Sequence, residues 1–184
     1  MIEVKFKLER LESIFKEADA PVLRHFNVGL PDNEIIAFFT ENNIPIHPDL
    51  LSLYNWHNGL TSIYKVHVYF IELSPLGSFP NLNEMLALRN DFISYDHFKV
   101  ENRHEYVPIL SCGEDDMHLL SVSTGKIYHS SPGIQIYCQP RFHSLSSMLD
   151  FILNCYEKGL LKMHPSEGLL IDDRYWKLND DYDN

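Results

Sequence analysis

Three side chains near residue 100 have the types and spacing of a metal site. His97, Glu101 and His104 stand at i, i+4 and i+7, so a helix would project all three from one face. Two imidazoles and a carboxylate form a ligand set that Zn²⁺ takes in catalytic sites, and such a set would make the protein a metal-dependent hydrolase. The segment falls at a predicted helix end, however, and the ten histidines of the chain make chance spacings common. A solvated charged face is the preferred interpretation, and we predict no metal and no cofactor.

A second group with potential chemistry is a cysteine close to carboxylates and a histidine. Cys112 is followed by Glu114, Asp115 and Asp116, with His118 just beyond them. A nucleophilic cysteine needs an electropositive environment that stabilises its thiolate. These acids do the opposite, and we expect them to raise the pKa of the thiol. We therefore predict no catalytic residue, and the protein is not expected to be an enzyme.

The same acidic residues have another interpretation, as a surface for a partner. The segment "GEDD" is typical of a hairpin tip, where Glu114, Asp115 and Asp116 would meet a basic protein. Trp56 is a further candidate for partner contact because it lies off the apolar stripe of its predicted helix. The net charge is −11, from 26 acidic and 15 basic residues, which disfavours nucleic acid and anionic membranes as partners. Solubility alone would also account for such a charge.

Composition indicates one globular domain over residues 1–184, since 45% of the residues are hydrophobic and 22% are charged. The cysteines, Cys112, Cys138 and Cys155, are odd in number and form no CxxC, which is typical of reduced thiols. The N-terminus alternates charged with apolar residues, unlike a signal peptide. The longest nearly apolar stretch, "VHVYFIEL", is too short to span a bilayer. We expect a cytoplasmic protein.

The hydrophobic periodicity predicts helices, a strand, a helix, a strand meander and a closing helix. One helix begins after Pro31 and the next at Pro48, a residue suited to the first helical position. Asn58 and Gly59 are expected to end that second helix, with Gly59 in the left-handed conformation, and His57 is expected to pack in the core. The strands are expected in "SIYKVHVYFIEL", "YVPIL", "MHLLSVS", "KIYHS" and "IQIYCQ".

This order of elements favours an α+β fold. We predict a largely antiparallel (mixed) sheet of about five or six strands with helices packed on one face. Within the single domain, residues 1–25 are predicted to form an N-terminal helical extension and residues 26–160 the core. Residues 161–184 are predicted to form an acidic C-terminal extension, either docked through its aromatic residues or loose.

The segment "NEIIAFFTENNIPIHPDLLSLYNWHNGL" resembles the first block of the SUKH superfamily, which includes the yeast Smi–Knr cell-wall regulators and bacterial immunity proteins. The segment "YVPILSCGEDDMHLLSVSTGKIYHSSPG" is similar to the second block, and "FHSLSSMLDFIL" is similar to the closing helix of that family. The resemblance covers about residues 30–158. The positions that carry the first block are Ile35, Phe39, Pro48, Leu53, Tyr54, Asn58 and Gly59.

The resemblance implies a SUKH-like α+β fold without catalytic residues. Bacterial members are typically immunity proteins that neutralise a toxin made beside them by binding it, and nucleases are among these toxins. The expected partner is therefore a cognate toxin protein of basic charge. The fungal members suggest an alternative, a regulatory scaffold with several partners, and self-association stays open.

Calorimetry tests the metal hypothesis. We expect zinc titrated into the metal-free protein to give no heat beyond dilution, because histidine spacing by chance explains the pattern. A saturable isotherm that disappears in His104→Ala would overturn this expectation.

Overall fold

The computed structural model describes residues 2–61, 72–94, 102–112, 116–131 and 139–180. Within these ranges the helices are α1 (Ile2–Glu17), α2 (Asp32–Glu41), α3 (Pro48–Trp56), α4 (Leu82–Ser94), α5 (Leu145–Glu157) and α6 (Arg174–Asp180). The strands are β1 (Phe26–Val28), β2 (His57–Leu60), β3 (Tyr106–Ser111), β4 (Met117–Ser121), β5 (Ile127–Ser130), β6 (Leu161–His164) and β7 (Gly168–Ile171). Short 3₁₀ turns occupy Pro21–Arg24 and Arg103–Glu105.

The described strands pair in antiparallel fashion and form three small sheets. Strand β1 pairs with β2, β4 lies between β3 and β5, and β6 pairs with β7. The predicted α+β class is confirmed. The predicted strands in "SIYKVHVYFIEL" and "IQIYCQ" fall almost entirely on residues 62–71 and 132–138, outside the described residues, so the number of strands in the largest sheet stays a prediction.

The sheet β3–β4–β5 contributes to two apolar clusters because neighbouring side chains of a strand point to opposite faces. Met117 and Leu119 pack with residues of α4, namely Leu88 and Phe92. Leu120 follows Leu119 in β4, so its side chain lies on the other face, where it belongs to the main core that α1, α3 and α5 build. The sheet therefore has α4 on one face and the main core on the other.

The N-terminal helix lies inside the main core. Its apolar stripe, Val4, Leu8, Leu11 and Phe15, is at most 4% exposed. The helix packs against both α3 and α5, so the segment predicted as an extension is an integral part of the core.

The C-terminal segment is docked, as one of the two predicted alternatives has it. Leu161 and Leu169 of the β6–β7 hairpin are buried in the main core. Tyr175 of α6 is 1% exposed and packs edge-on against Phe151 of α5. The hairpin and one aromatic residue thus attach this segment to the closing helix.

The end of α3 differs from the prediction. The helix ends at Trp56, because His57 is already extended and opens β2, where it pairs with Val28. Gly59 is left-handed as predicted, with φ +61°, but it lies within β2 and does not cap the helix. A Cβ atom at this position would lie 2.2 Å from the backbone nitrogen of Asn81, so the glycine is required by a close backbone approach.

Two glycines with nearly equal φ test this explanation. Gly159 after α5 has φ +66°, and its nearest contact to an added Cβ would be 3.5 Å. We expect Gly159→Ala to cost only the left-handed strain, about 1–2 kcal/mol, and Gly59→Ala to cost about 1–3 kcal/mol more because backbone atoms must shift. Denaturant unfolding measures both free energies, and equal losses would contradict the steric explanation.

Candidate functional site

The predicted zinc ligands lie mostly outside the part of the chain that the structure describes. His97 and Glu101 are not among the described residues, and His104 lies in the 3₁₀ turn before β3. The His104 carbonyl accepts a hydrogen bond of 2.7 Å from Arg89. Among the described residues, no group of three histidine, cysteine or acidic side chains converges to hold a metal ion. The complete zinc site stays a prediction.

Cys112 is placed where its thiol is held protonated. The residue follows β3 and is exposed in part, but Sγ lies 3.7 Å from the Pro75 carbonyl and donates to it. Burial of the thiol, the Asp116 carboxylate and the Glu72 carboxylate raise the pKa of Cys112 to about 12. The predicted effect of Asp116 on this pKa is confirmed. Since the thiolate is the reactive form, this environment disfavours nucleophilic chemistry.

The hairpin tip has only one described acid, and that acid has a partner. Glu114 and Asp115 lie outside the described residues, so their role in partner binding stays a prediction. Asp116 Oδ1 lies 2.9 Å from His129 Nε2, and its backbone carbonyl accepts from the Cys112 amide at 2.8 Å. Asp116 therefore contributes to the local structure as well as to the surface charge.

His118 extends this contact into a chain of polar side chains. The β4–β5 register sets His118 opposite His129, and the two rings stack with centroids 4.9 Å apart. His118 Nε2 accepts from Arg141 Nη1 at 3.2 Å. These residues are separated in the sequence, and the pairing of β4 with β5 is what brings the two histidines together.

The His118 ring is held neutral. It is 2% exposed, and burial, the Arg141 charge and His129 together lower its pKa well below the usual value. A neutral imidazole can accept the hydrogen bond from Arg141, whereas an imidazolium could not. His118 is thus suited to fixing the position of the Arg141 guanidinium.

Trp56, the other predicted contact residue, is partly buried and anchored to α1. Its indole Nε1 donates to Glu12 Oε2 at 2.8 Å, and its ring packs edge-on against Phe26 and His57. Glu12 also forms an ion pair of 2.6 Å with Lys16. Burial opposes the ionisation of Glu12, but the hydrogen bonds from Lys16 and Trp56 outweigh it and lower its pKa. The sequence did not reveal Glu12 as the partner of this indole, because the two lie on different helices.

His57 next to Trp56 is packed, in agreement with the prediction, although not on the helical stripe. Its ring stacks on Phe26 with centroids 4.1 Å apart, and Nδ1 lies 3.1 Å from the Asn27 carbonyl. Burial lowers the pKa of His57. The Asn27 carbonyl and Glu12 act in the opposite direction, but their effect is smaller. This residue therefore has a structural role.

An open groove of about 440 Å³ runs between α1 and α3 beside Trp56. The residues that line it are Ile2, which is 89% exposed, Lys5, Glu9, Glu12, Ser52, Asn55 and Trp56. The Glu9 carboxylate is 3.9 Å from Lys5 and 58% exposed, so it is only loosely paired. The groove thus combines an isoleucine and a tryptophan with polar and charged side chains, among them an accessible carboxylate, and this mixture suits contact with a protein side chain.

The chain matches no protein-family model, and no curated protein matches it. Within the described residues, none of the helices combines the length and the apolar character that a membrane span needs.

The neutral state of His118 predicts a pH dependence of stability. Because its pKa is lower in the folded than in the unfolded protein, where it is about 6.5, the contribution of His118 is complete above that pH and is lost as the pH falls. We expect His118→Asn to flatten the decline of the unfolding free energy between about pH 6.5 and 5, by up to about 1.4 kcal/mol per pH unit. Denaturant unfolding at several pH values measures the slope.

The exposed His143 provides the control, since His143→Asn is expected to keep the wild-type slope. Equal slopes in the wild type and both variants would contradict the assignment of His118.

Proposed function

We propose that this protein is a non-catalytic binding domain that neutralises a cognate toxin by direct contact, and that the toxin presents a basic surface. The observation that carries the proposal is the α1–α3 groove, whose lining includes an exposed isoleucine, the Trp56 side chain and an accessible carboxylate. Partly exposed tryptophans next to apolar residues are typical energetic centres of protein interfaces. The environment of Cys112, which holds the thiol protonated, agrees with a role in binding.

The charge of the chain supports a basic partner. A net charge of −11 accelerates association with a positively charged protein and slows association with polyanions. A toxin that acts on nucleic acid needs basic residues in its own substrate site. An acidic protein that binds there would exclude the substrate by occupying the same surface.

The SUKH assignment belongs to this proposal and has the sequence resemblance as its support. The two helices of the first block, α2 and α3, and the strands β3 to β5 of the second block occur in the expected order. This order is compatible with the assignment, and an α+β class alone is shared by many families.

Co-expression tests the proposed function. We expect cells that produce the toxin encoded next to this gene to survive when they also produce this protein, and we expect the two purified proteins to form a complex whose affinity falls with added salt. Survival without a complex, or a complex without survival, would contradict neutralisation by binding.

Glu9→Gln tests the groove, because this exposed carboxylate has only a loose intramolecular partner. We expect the complex to weaken about five-fold as one rim charge is lost. Glu17→Gln removes the same charge from an exposed site at the end of α1 and serves as the control.

Trp56→Ala and Trp176→Ala form a second matched pair. Trp176 is 50% exposed on α6, away from the groove lining. Loss of more than about ten-fold in affinity is expected for Trp56→Ala only, with folding checked by circular dichroism. Equal affinities for both tryptophan variants, together with equal affinities for both glutamate variants, would contradict binding in the groove.

A further inference from the structure

Helix α1 exposes two large apolar side chains on the face opposite its buried stripe. Ile2 and Phe6 are 89% and 67% accessible. They stand one helical turn apart, so their side chains are neighbours on the helix surface. Single exposed apolar residues are common on proteins, but two adjacent ones at this level of exposure form a patch.

Charged side chains flank these two residues on both sides. Lys5 and Glu9 lie on the side of the groove, which they also line. Glu3 and Arg10 lie on the side of α5, where Glu3 accepts a hydrogen bond of 2.8 Å from Ser146. We call these six residues the α1 patch: Ile2, Glu3, Lys5, Phe6, Glu9 and Arg10.

The charges of the α1 patch are accessible to another molecule. Lys5 and Glu9 are 3.9 Å apart, and their side chains are 76% and 58% exposed, so they form only a weak pair. Glu3 contacts Lys7 at 2.7 Å, yet 70% of its side chain stays exposed. Arg10 is exposed, and no described acid forms an ion pair with it.

Helix α1 is electrically neutral in a strongly acidic protein. It has four acidic and four basic side chains. The whole chain, in contrast, has 26 acidic and 15 basic residues and a net charge of −11. Two copies of such a chain repel each other over most of their surfaces, and a neutral patch is where they can approach.

The order of the charges along the α1 patch suits an antiparallel pair of α1 helices. Lys5 and Glu9 stand two positions before and two positions after residue 7. Glu3 and Arg10 stand on either side of nearly the same point. A two-fold axis through this point therefore opposes Lys5 of each copy to Glu9 of the other, and likewise Glu3 to Arg10. A parallel pair would oppose each charge to its own copy.

We propose that the α1 patch is a self-association surface, in which two copies of the chain pair their α1 helices in antiparallel fashion around Phe6. The two Phe6 rings meet near the two-fold axis, and Ile2 of each copy packs on the aliphatic part of Arg10 of the other. An apolar centre with a rim of opposite charges is the usual composition of a specific interface. The proposal goes beyond the proposed function and does not depend on it.

The charge pattern selects a second copy over other occupants. A uniformly basic or acidic partner gains little from a neutral patch, because each attraction is offset by repulsion from a neighbouring opposite charge. A second copy in antiparallel orientation has the complementary order by symmetry.

The size of the contact sets its strength. The part of α1 that the patch covers, residues 2–10, is about 13 Å long, and a pair of such segments buries less than a standard interface. We therefore expect a weak and transient dimer.

Sedimentation velocity tests whether the dimer exists. We expect the mean sedimentation coefficient of the wild type to rise between about 5 and 500 μM protein, a range suited to a weak interface. A constant monomer value over this range would overturn the proposal.

Charge reversal tests the antiparallel arrangement. Lys5→Glu and Glu9→Lys each place two like-charge contacts in the pair, and we expect either variant alone to associate at least about ten-fold more weakly than the wild type. An equimolar mixture of the two variants has opposite charges at both contacts, and we expect it to associate within about three-fold of the wild type.

Lys177→Glu is the matched control for net charge, because Lys177 is exposed on α6, away from the α1 patch. It is expected to associate as the wild type does. Equal weakening by Lys5→Glu and Lys177→Glu, or a mixture that associates as weakly as its components, would overturn the proposal. Circular dichroism checks that each variant is folded.

Phe6→Ala tests the apolar centre, with Trp176→Ala as its control, because Trp176 is also an exposed aromatic residue of a helix. A loss of more than about ten-fold in self-association is expected for Phe6→Ala only. Equal association of the two variants would overturn the role of Phe6.

The concentration of the protein separates this proposal from the proposed function. Toxin binding measured below about 1 μM protein reports on the monomer, because a weak dimer is dissociated there. A toxin complex without self-association at high concentration would overturn the α1 patch and leave the proposed function standing. Self-association without a toxin complex would overturn the proposed function and support the α1 patch.

Discussion

The apolar stripe of α1 is the contact on which the rest of the structure depends. Leu8, Leu11 and Phe15 are almost completely buried, and they lie between α3 and α5. Removing the helix would expose these residues and the surfaces of both neighbours at once, at about 25 cal/mol for each Å² of apolar area. The same helix holds Trp56 through Glu12 and reaches α5 through Lys7, whose ammonium lies 2.7 Å from Asp150. Helix α1 therefore determines both the packing of the core and the shape of the groove beside Trp56.

The connection after α3 fixes how the first helices meet the rest of the fold. Asn58 accepts from the Leu82 amide through its side chain at 3.1 Å, and its carbonyl accepts from the Asn27 side chain at 2.9 Å. The neighbouring Gly59 lets the backbone pass close to Asn81. This joint links β1, β2 and the start of α4 within a few residues. A short sequence motif can thus set a tertiary arrangement, since both oxygens of Asn58 accept hydrogen bonds from distant segments.

The placement of charge separates structural acids from acids that remain available to a partner. Lys7 and Lys16 pair with Glu3 and Glu12 of their own helix, and Asp116 is engaged with His129. Glu9 of the groove, in contrast, is 3.9 Å from Lys5 and stays largely exposed. The net charge does not reveal which acids are paired, because pairing depends on which side chains come within about 4 Å of each other. The proposed contacts with a basic protein follow from this distribution.

The sequence by itself determined the features that local signals encode. It predicted the starts of α2 and α3 from Pro31 and Pro48, and the α+β class, because caps and periodicity act over a few neighbouring residues. It also predicted that Asp116 raises the pKa of Cys112. Tertiary structure alone decided that α1 is core, that Gly59 serves a backbone approach and not a cap, and that Asp116, His129, His118 and Arg141 form a chain. These features depend on residues distant in sequence, whose proximity arises only when strands pair and helices pack.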